Sequence, residues 1–379
     1  MKSILFYTLL FVSLSVSAQY SDAPECVARK AIVGDVVSGV NLNLVTQQTF
    51  RYATPRRNAD GIFQELFVVG LKNKTAPRNG KSIIYIHGGG FRGGSAWSDN
   101  IGDVYDCLMI DRGYDIWLVE YRTGWVPCDA LTPGDADFCD PALNEDIFIR
   151  AVNKAVGDSK AGLRFIAKNW AALGYGEPFI LWGTSAGGST VQQLVFQDDN
   201  SDFTIDTLGI DYAYIGFGGD GLAEVPTYQW NRIPVLISHN NDDNIAPWSN
   251  TAPTNGGNIY TNVDLPENYG GLDLFGGIVA NSDLTPEASV YFWAVCNQGH
   301  GLGQAAAFGP TDQYDNLFCG PYGMFDYFIP AVEAGTWGGA RRITWANGSS
   351  GTPTSAPSYP GDLCPCETLG NCDPPDNCP

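Results

Sequence analysis

Short apolar runs, set apart by polar and glycine-rich stretches, recur along most of this chain. Ser82 to Ile86, Asp115 to Glu120, Phe179 to Trp182, Tyr212 to Phe217, Val235 to Ser238 and Val290 to Val295 are too short for helices. Their β-branched and aromatic content predicts buried strands. Glu65 to Gly70 alternates only in part and predicts an early edge strand. Leu163, Ile166, Ala167 and Trp170 recur at helical spacing, a stripe able to face a sheet. Asp158 is the expected N-cap of that helix and Gly174 its stop. The small residues after Trp182 read as another helix, and Phe325 to Ile329 as a closing one. Strands alternating with helices predict an α/β class, with a mostly parallel central sheet covered by helices on both faces.

The two ends break this rhythm. Lys2, the apolar Ile4 to Val12 and the small residues Val16-Ser17-Ala18 predict a secretory leader over 1–18, with the mature chain starting at Gln19. That apolar run is too short to span a membrane. Residues 19–345 are expected to form the catalytic domain, within which 244–287 is an insertion. It is rich in Gly, Asn and aromatics (Tyr260, Tyr269, Phe275) and forms either a rim over a site or a plain surface excursion. Residues 346–379 read as a Ser/Thr/Pro linker and a Cys-rich tail.

The candidate chemistry sits where strands end. Gly183-Thr184-Ser185-Ala186-Gly187 follows an apolar run and opens a helix, the setting a nucleophile elbow requires. His87-Gly88-Gly89-Gly90 follows the Ile83 to Ile86 strand. Acyl transfer builds charge on a carbonyl oxygen, and preorganised N–H groups must receive it. Gly89, Gly90 and Ala186 are the expected donors.

A serine needs a base, and the base an orienting acid. Among three histidines, His87 belongs to the glycine loop and His239 ends a strand as a packed or hydrogen-bonded residue. His300, in Gln298-Gly299-His300-Gly301 after a late strand, is the expected base. Asp243 is the expected acid, with Asp242 as its neighbour and rival.

With these residues in place, the chain resembles the α/β-hydrolase superfamily, in its H-G-G-G carboxylesterase and hormone-sensitive-lipase-like group. The resemblance runs from about Phe63 to Ala334 and includes Glu120-Tyr121-Arg122. Thr184 departs from it, since many relatives carry Asp or Glu there. The resemblance implies an α/β-hydrolase fold and ester hydrolysis through an acyl-enzyme, with no metal and no organic cofactor. A lipase, a serine peptidase and an inactive binding protein on the same scaffold are the alternatives.

Charge and cysteines narrow the setting. A formal net charge of −20 disfavours nucleic acid and anionic membranes as partners. Ten cysteines, all beyond the leader, predict disulfides in an oxidising, extracellular compartment. Cys128 with Cys139 and Cys296 with Cys319 are the expected neighbours. Asn73-Lys74-Thr75 and Asn347-Gly348-Ser349 match glycosylation sequons. Phe91, Trp97, Trp125 and Trp248 are candidates for the mouth of the site, where a ring would stack on a sugar or receive a ferulate; core packing is their competing role. The expected partner is a small-molecule or carbohydrate ester, and no oligomeric state is indicated.

Overall fold

The computed structural model describes residues 37, 40–74, 77–97, 106–124, 141–196, 208–217, 233–241, 243, 246, 270–280, 289–295, 300, 323–337 and 339–345. Among them, nine strands form one twisted sheet. They are β1 (Val45–Arg57), β2 (Phe63–Asn73), β3 (Lys81–Ile86), β4 (Asp115–Val119), β5 (Glu177–Thr184), β6 (Tyr212–Gly216), β7 (Val235–Asn240), β8 (Val290–Val295) and β9 (Ala340–Trp345). Their order across the sheet is β1-β2-β4-β3-β5-β6-β7-β8-β9. β2 runs antiparallel to both neighbours, and every other pairing from β4 to β9 is parallel.

The expected edge strand is therefore interior. Leu66 to Leu71 is buried throughout, which explains the weak alternation, because a strand covered on both faces has no polar side. Among the described residues the edges are β1 and β9, neither of which the hydrophobic pattern shows. β1 carries Gln47, Gln48, Arg51, Arg56 and Arg57, while Arg341 and Arg342 interrupt β9. On β1 such side chains suit an open edge, where unpaired backbone would otherwise invite a second strand. Arg342 of β9 is instead buried, with its guanidinium 5.3 Å from the Phe292 ring centroid.

Six helical segments among the described residues accompany the sheet. They are α1 (Asp106–Asp111), α2 (Pro141–Asn169), α3 (Ala186–Phe196), α4 (Gly271–Ala280), α5 (Met324–Phe328) and α6 (Ile329–Glu333). Strand residues alternate between two cores. Ile84, Ile86, Trp117, Val119, Ile215 and Ile237 point to the side of α2, α3 and α4. Ile83, Tyr85, Leu118, Trp182, Tyr214 and Leu236 point to the side of α1, α5 and α6. Helices on both faces follow from this period-two division. No helix among the described residues is long and apolar enough to cross a membrane.

Three further expectations change. α2 starts at Pro141, so Asp158 is no N-cap but a buried residue within the helix. Proline suits a helix start, where its missing N–H costs nothing. Gly174 does end the helical region: it takes φ +72°, and Tyr175 N–H donates to Trp170 C=O at 2.8 Å. Part of the expected rim is core, since Leu274, Phe275 and Ile278 of α4 are buried and Phe275 stacks on Phe292. The rest of 244–287, apart from Ala246 and Gly270, lies outside the described residues, as do 1–36, 346–379 and both expected cysteine pairs. Asn73 is buried, and its amide donates to Met109 C=O at 2.8 Å, so the fold withdraws the sequon's asparagine from solvent.

Candidate active site

Four segments leave the carboxyl ends of parallel strands β3, β5, β7 and β8, where ligands gather in open α/β sheets. Ser185 sits between β5 and α3 with φ +54°, a left-handed conformation that non-glycine residues rarely adopt. Two bonds hold it: its N–H donates to Gly216 C=O at 2.8 Å, and its own C=O accepts from Ser189 N–H at 2.9 Å. The flanking glycines are required by contact. A Cβ at Gly183 would meet Gly187 O at 2.2 Å, and one at Gly187 would meet Ile86 O at 2.0 Å. The small residues thus let α3 press against β3 and lift the serine out of the sheet. Ser185 remains partly exposed in an otherwise buried stretch.

His300 lies after β8. Its Nε2 is 2.9 Å from Ser185 Oγ, and its Nδ1 lies 3.0 and 2.8 Å from the two Asp243 oxygens. A carboxylate only accepts, so Nδ1 carries the proton and Nε2 is free to accept from the serine. The ring of Phe217 meets His300 edge-on at 5.3 Å between centroids. Phe217 itself has φ +33° and donates its N–H to Ser238 C=O at 2.7 Å. Apolar patterning assigned Phe217 to a strand, and only the backbone turn at its end aims the ring at His300.

Asp243 follows β7 and is buried. Burial pushes its carboxyl up, but hydrogen bonds from His239 and His300, together with their electrostatic pull on the carboxylate, outweigh that and hold it at about 2. Ala246 N–H adds a further bond at 2.9 Å. His239 is packed and hydrogen-bonded, as the sequence suggested. Its Nε2, however, lies 3.2 Å from Asp243 Oδ2, a link that no motif announced. The four-residue spacing from His239 to Asp243 was visible, although in a loop such spacing does not by itself bring side chains together. The rival Asp242 lies outside the described residues.

The glycine loop passes beside the serine. A Cβ on Gly88 would stand 3.2 Å from Ser185 Cβ and 3.9 Å from its Oγ. Gly89 (φ +115°) and Gly90 (φ +60°) turn the loop, and a Cβ at Gly89 would strike Gly93 O at 2.3 Å. The turn is closed by Arg92 and Gly93 N–H groups donating to Gly89 C=O at 3.1 and 3.3 Å. His87 braces the loop from below: Nδ1 is 2.8 Å from Gly88 O, and the ring stacks on Tyr121, whose hydroxyl donates to His87 C=O. Ala186 begins α3, so its N–H is one of four that the helix cannot satisfy internally.

The aromatic candidates fare differently. Phe91 is 1 % exposed and packs against Tyr121 and Phe148, so it is core rather than a ring at the mouth. Apolar closure beneath the glycine loop claims it. Trp97 stacks on Phe67 at 5.0 Å, against the core on the side of α1. This contact too is packing. Trp125 and Trp248 lie outside the described residues.

No family model matches the chain. Similar solved structures include Thermogutta terrifontis esterase 2 phosphonylated by cyclosarin, 14 % identical, covering 80 % of this chain and 98 % of that one with a TM-score of 0.45. A truncated carbohydrate esterase from gut microbiota is 15 % identical and covers 72 % of this chain and 92 % of that one, with a TM-score of 0.39. The alpha/beta hydrolase MGS-M1, from a Medee basin deep-sea metagenome library, is 13 % identical over 62 % of this chain and 78 % of that one, with a TM-score of 0.38. Likenesses this distant leave the chemistry to be read from the geometry.

Proposed function

We propose that this chain is a serine esterase of the α/β-hydrolase type, acting through Ser185, His300 and Asp243. The observation that carries this reading is the 2.9 Å separation of Ser185 Oγ and His300 Nε2, with Asp243 on the opposite ring nitrogen. A hydroxyl in that position loses its proton to the imidazole as it attacks an ester carbonyl. Asp243 keeps the proton on Nδ1 and steadies the imidazolium that forms. The N–H groups of Gly89, Gly90 and Ala186 receive the oxyanion, the most demanding charge in the reaction. His300 returns its proton to the departing alcohol. Water, deprotonated by the same nitrogen, then releases the acid from Ser185.

The proposed substrates are short-chain acyl esters and acylated carbohydrates, met outside the cell after removal of residues 1–18. The acidic composition keeps such a protein dispersed and disfavours anionic polymers as substrates. A panel of p-nitrophenyl esters of rising chain length, run beside acetylated xylan and methyl ferulate, tests both class and preference. Turnover should fall to background in Ser185→Ala with the unfolding transition unchanged. Retained turnover in that variant, or no turnover of any ester by the parent protein, overturns the proposal.

A further inference from the structure

His239 has no part in the reaction just described, yet it is buried against the acid. It stands near the end of β7, and its Nδ1 lies 3.0 Å from the N–H of Gly271, the first residue of α4. That nitrogen therefore accepts, and the ring proton resides on Nε2. Nε2–H in turn faces Ala246 C=O at 2.8 Å and Asp243 Oδ2 at 3.2 Å. Gly271 makes this approach possible, because a Cβ there would stand 2.9 Å from His239 Cβ and 3.0 Å from Nδ1. The amide is one that a helix start leaves without an internal partner. Five groups thus run in one line, from the α4 amide through His239, Asp243 and His300 to Ser185.

We propose that His239 is a positioning residue: a neutral Nε2–H imidazole, locked in that tautomer by the α4 amide, which holds the Asp243 carboxylate toward His300 and tempers its charge. This rests on the esterase reading above. The titratable groups around the line, among the described residues, are Asp243, His300 and, in the first turn of α4, Asp273, whose carboxylate takes the Gly270 N–H at 3.3 Å. Without the His239 donor, more negative charge is left on Asp243 for His300 to feel. His300 then holds its second proton more tightly and serves as a base only at higher pH. A hydrogen bond to a charged group is strong enough to raise that affinity by about tenfold, or about one pH unit.

Two variants separate this role from simple packing. In His239→Asn the amide oxygen can replace Nδ1 and keep the Gly271 contact, while the donor to Asp243 is lost. In His239→Gln the amide nitrogen can replace Nε2 and keep that donor. The His300 titration is followed by NMR in the resting protein. It should rise by about one unit in the Asn variant and stay near the parent value in the Gln variant. Turnover of p-nitrophenyl acetate, normalised to sites titrated with a fluorophosphonate, should show the acid limb of kcat/KM moving with it. In the Asn variant kcat should fall about tenfold at unchanged KM, the mark of a group acting beyond substrate binding. An unmoved His300 titration, or identical behaviour of the two variants, overturns the proposal. Should the Asn variant not fold, Gly271→Ala displaces the tautomer-fixing amide instead, and an unmoved titration there has the same consequence. Failure of the esterase reading is a different result: a parent protein that takes no probe and hydrolyses no ester, whatever its NMR titration.

Discussion

Arg122 forks onto Asp158. Its Nε lies 2.6 Å from one carboxylate oxygen and its Nη2 2.8 Å from the other, while the Arg122 N–H adds a 3.1 Å bond to the first. The pair ties the chain leaving β4 to the middle of α2, and the carboxylate is only 3 % exposed. Removing one partner strands a buried charge, which typically costs about 3–5 kcal/mol. Asp158→Ala should lose stability of that order in urea unfolding. The double variant Arg122→Met/Asp158→Leu should lose much less than the two single changes summed. Additive losses would mean that the two side chains are not coupled.

Asp243 makes stability depend on pH. Its carboxyl is held at about 2 in the folded protein, below the ordinary 3.8 that the unfolded chain restores. The folded state therefore binds its proton less well, and this stabilises the fold above the unfolded value. The contribution is lost as pH falls from about 4 through about 2, and amounts to roughly 2 kcal/mol. Urea midpoints measured across that window should drop less steeply in Asp243→Asn than in the parent. The same variant should lower kcat by about four orders of magnitude, because the imidazole loses its enforced tautomer.

Glycines at the elbow and in α2 should respond in opposite directions. Gly187→Ala would drive a Cβ to 2.0 Å from Ile86 O, which is rigid strand backbone, so soluble folded protein should be lost or sharply reduced. Gly157 is exposed within α2 with nothing within 4 Å of an added Cβ. There Gly157→Ala should raise stability by about 0.5–1 kcal/mol, through helix propensity alone. Thermal melting of the two variants reads both signs directly.

The glycine loop offers a test of charge stabilisation apart from the nucleophile. Gly89→Ala puts a Cβ 2.3 Å from Gly93 O at a φ of +115° that alanine resists, so the loop must shift away from Ser185. Loss of one oxyanion donor typically lowers kcat by about 10²–10³. Single-turnover measurements with a p-nitrophenyl ester should show the deficit in acylation, with KM little altered.

Much of this architecture was legible in the chain. Parallel strands buried on both faces must be short and apolar, so β3 to β8 stand out, and the α2 stripe repeats at helical spacing. Ser185 and His300 stood out as candidates because glycines flank them, whereas Asp243 stood out beside Asp242 only by its place in the loop after a late strand. What hid were edge strands and shared roles. β1 carries arginines and glutamines because an open edge tolerates polar side chains, and β9 carries Arg342, buried over the Phe292 ring, so neither shows a clean apolar period. Asp158 resembled a cap because capping residues are also the residues that bind arginine.

The amino-acid order by itself determined where strands and helices alternate and which nucleophile, base and acid residue types stand at strand ends, because those features depend on local spacing and local backbone freedom. Only the tertiary structure decided that Phe91 packs inward, that Phe217 meets the edge of the His300 ring, and that His239 faces Asp243 instead of filling space. Such relations arise between segments that the chain keeps apart and the sheet brings side by side, and their distances are set by packing, which no short stretch of sequence contains.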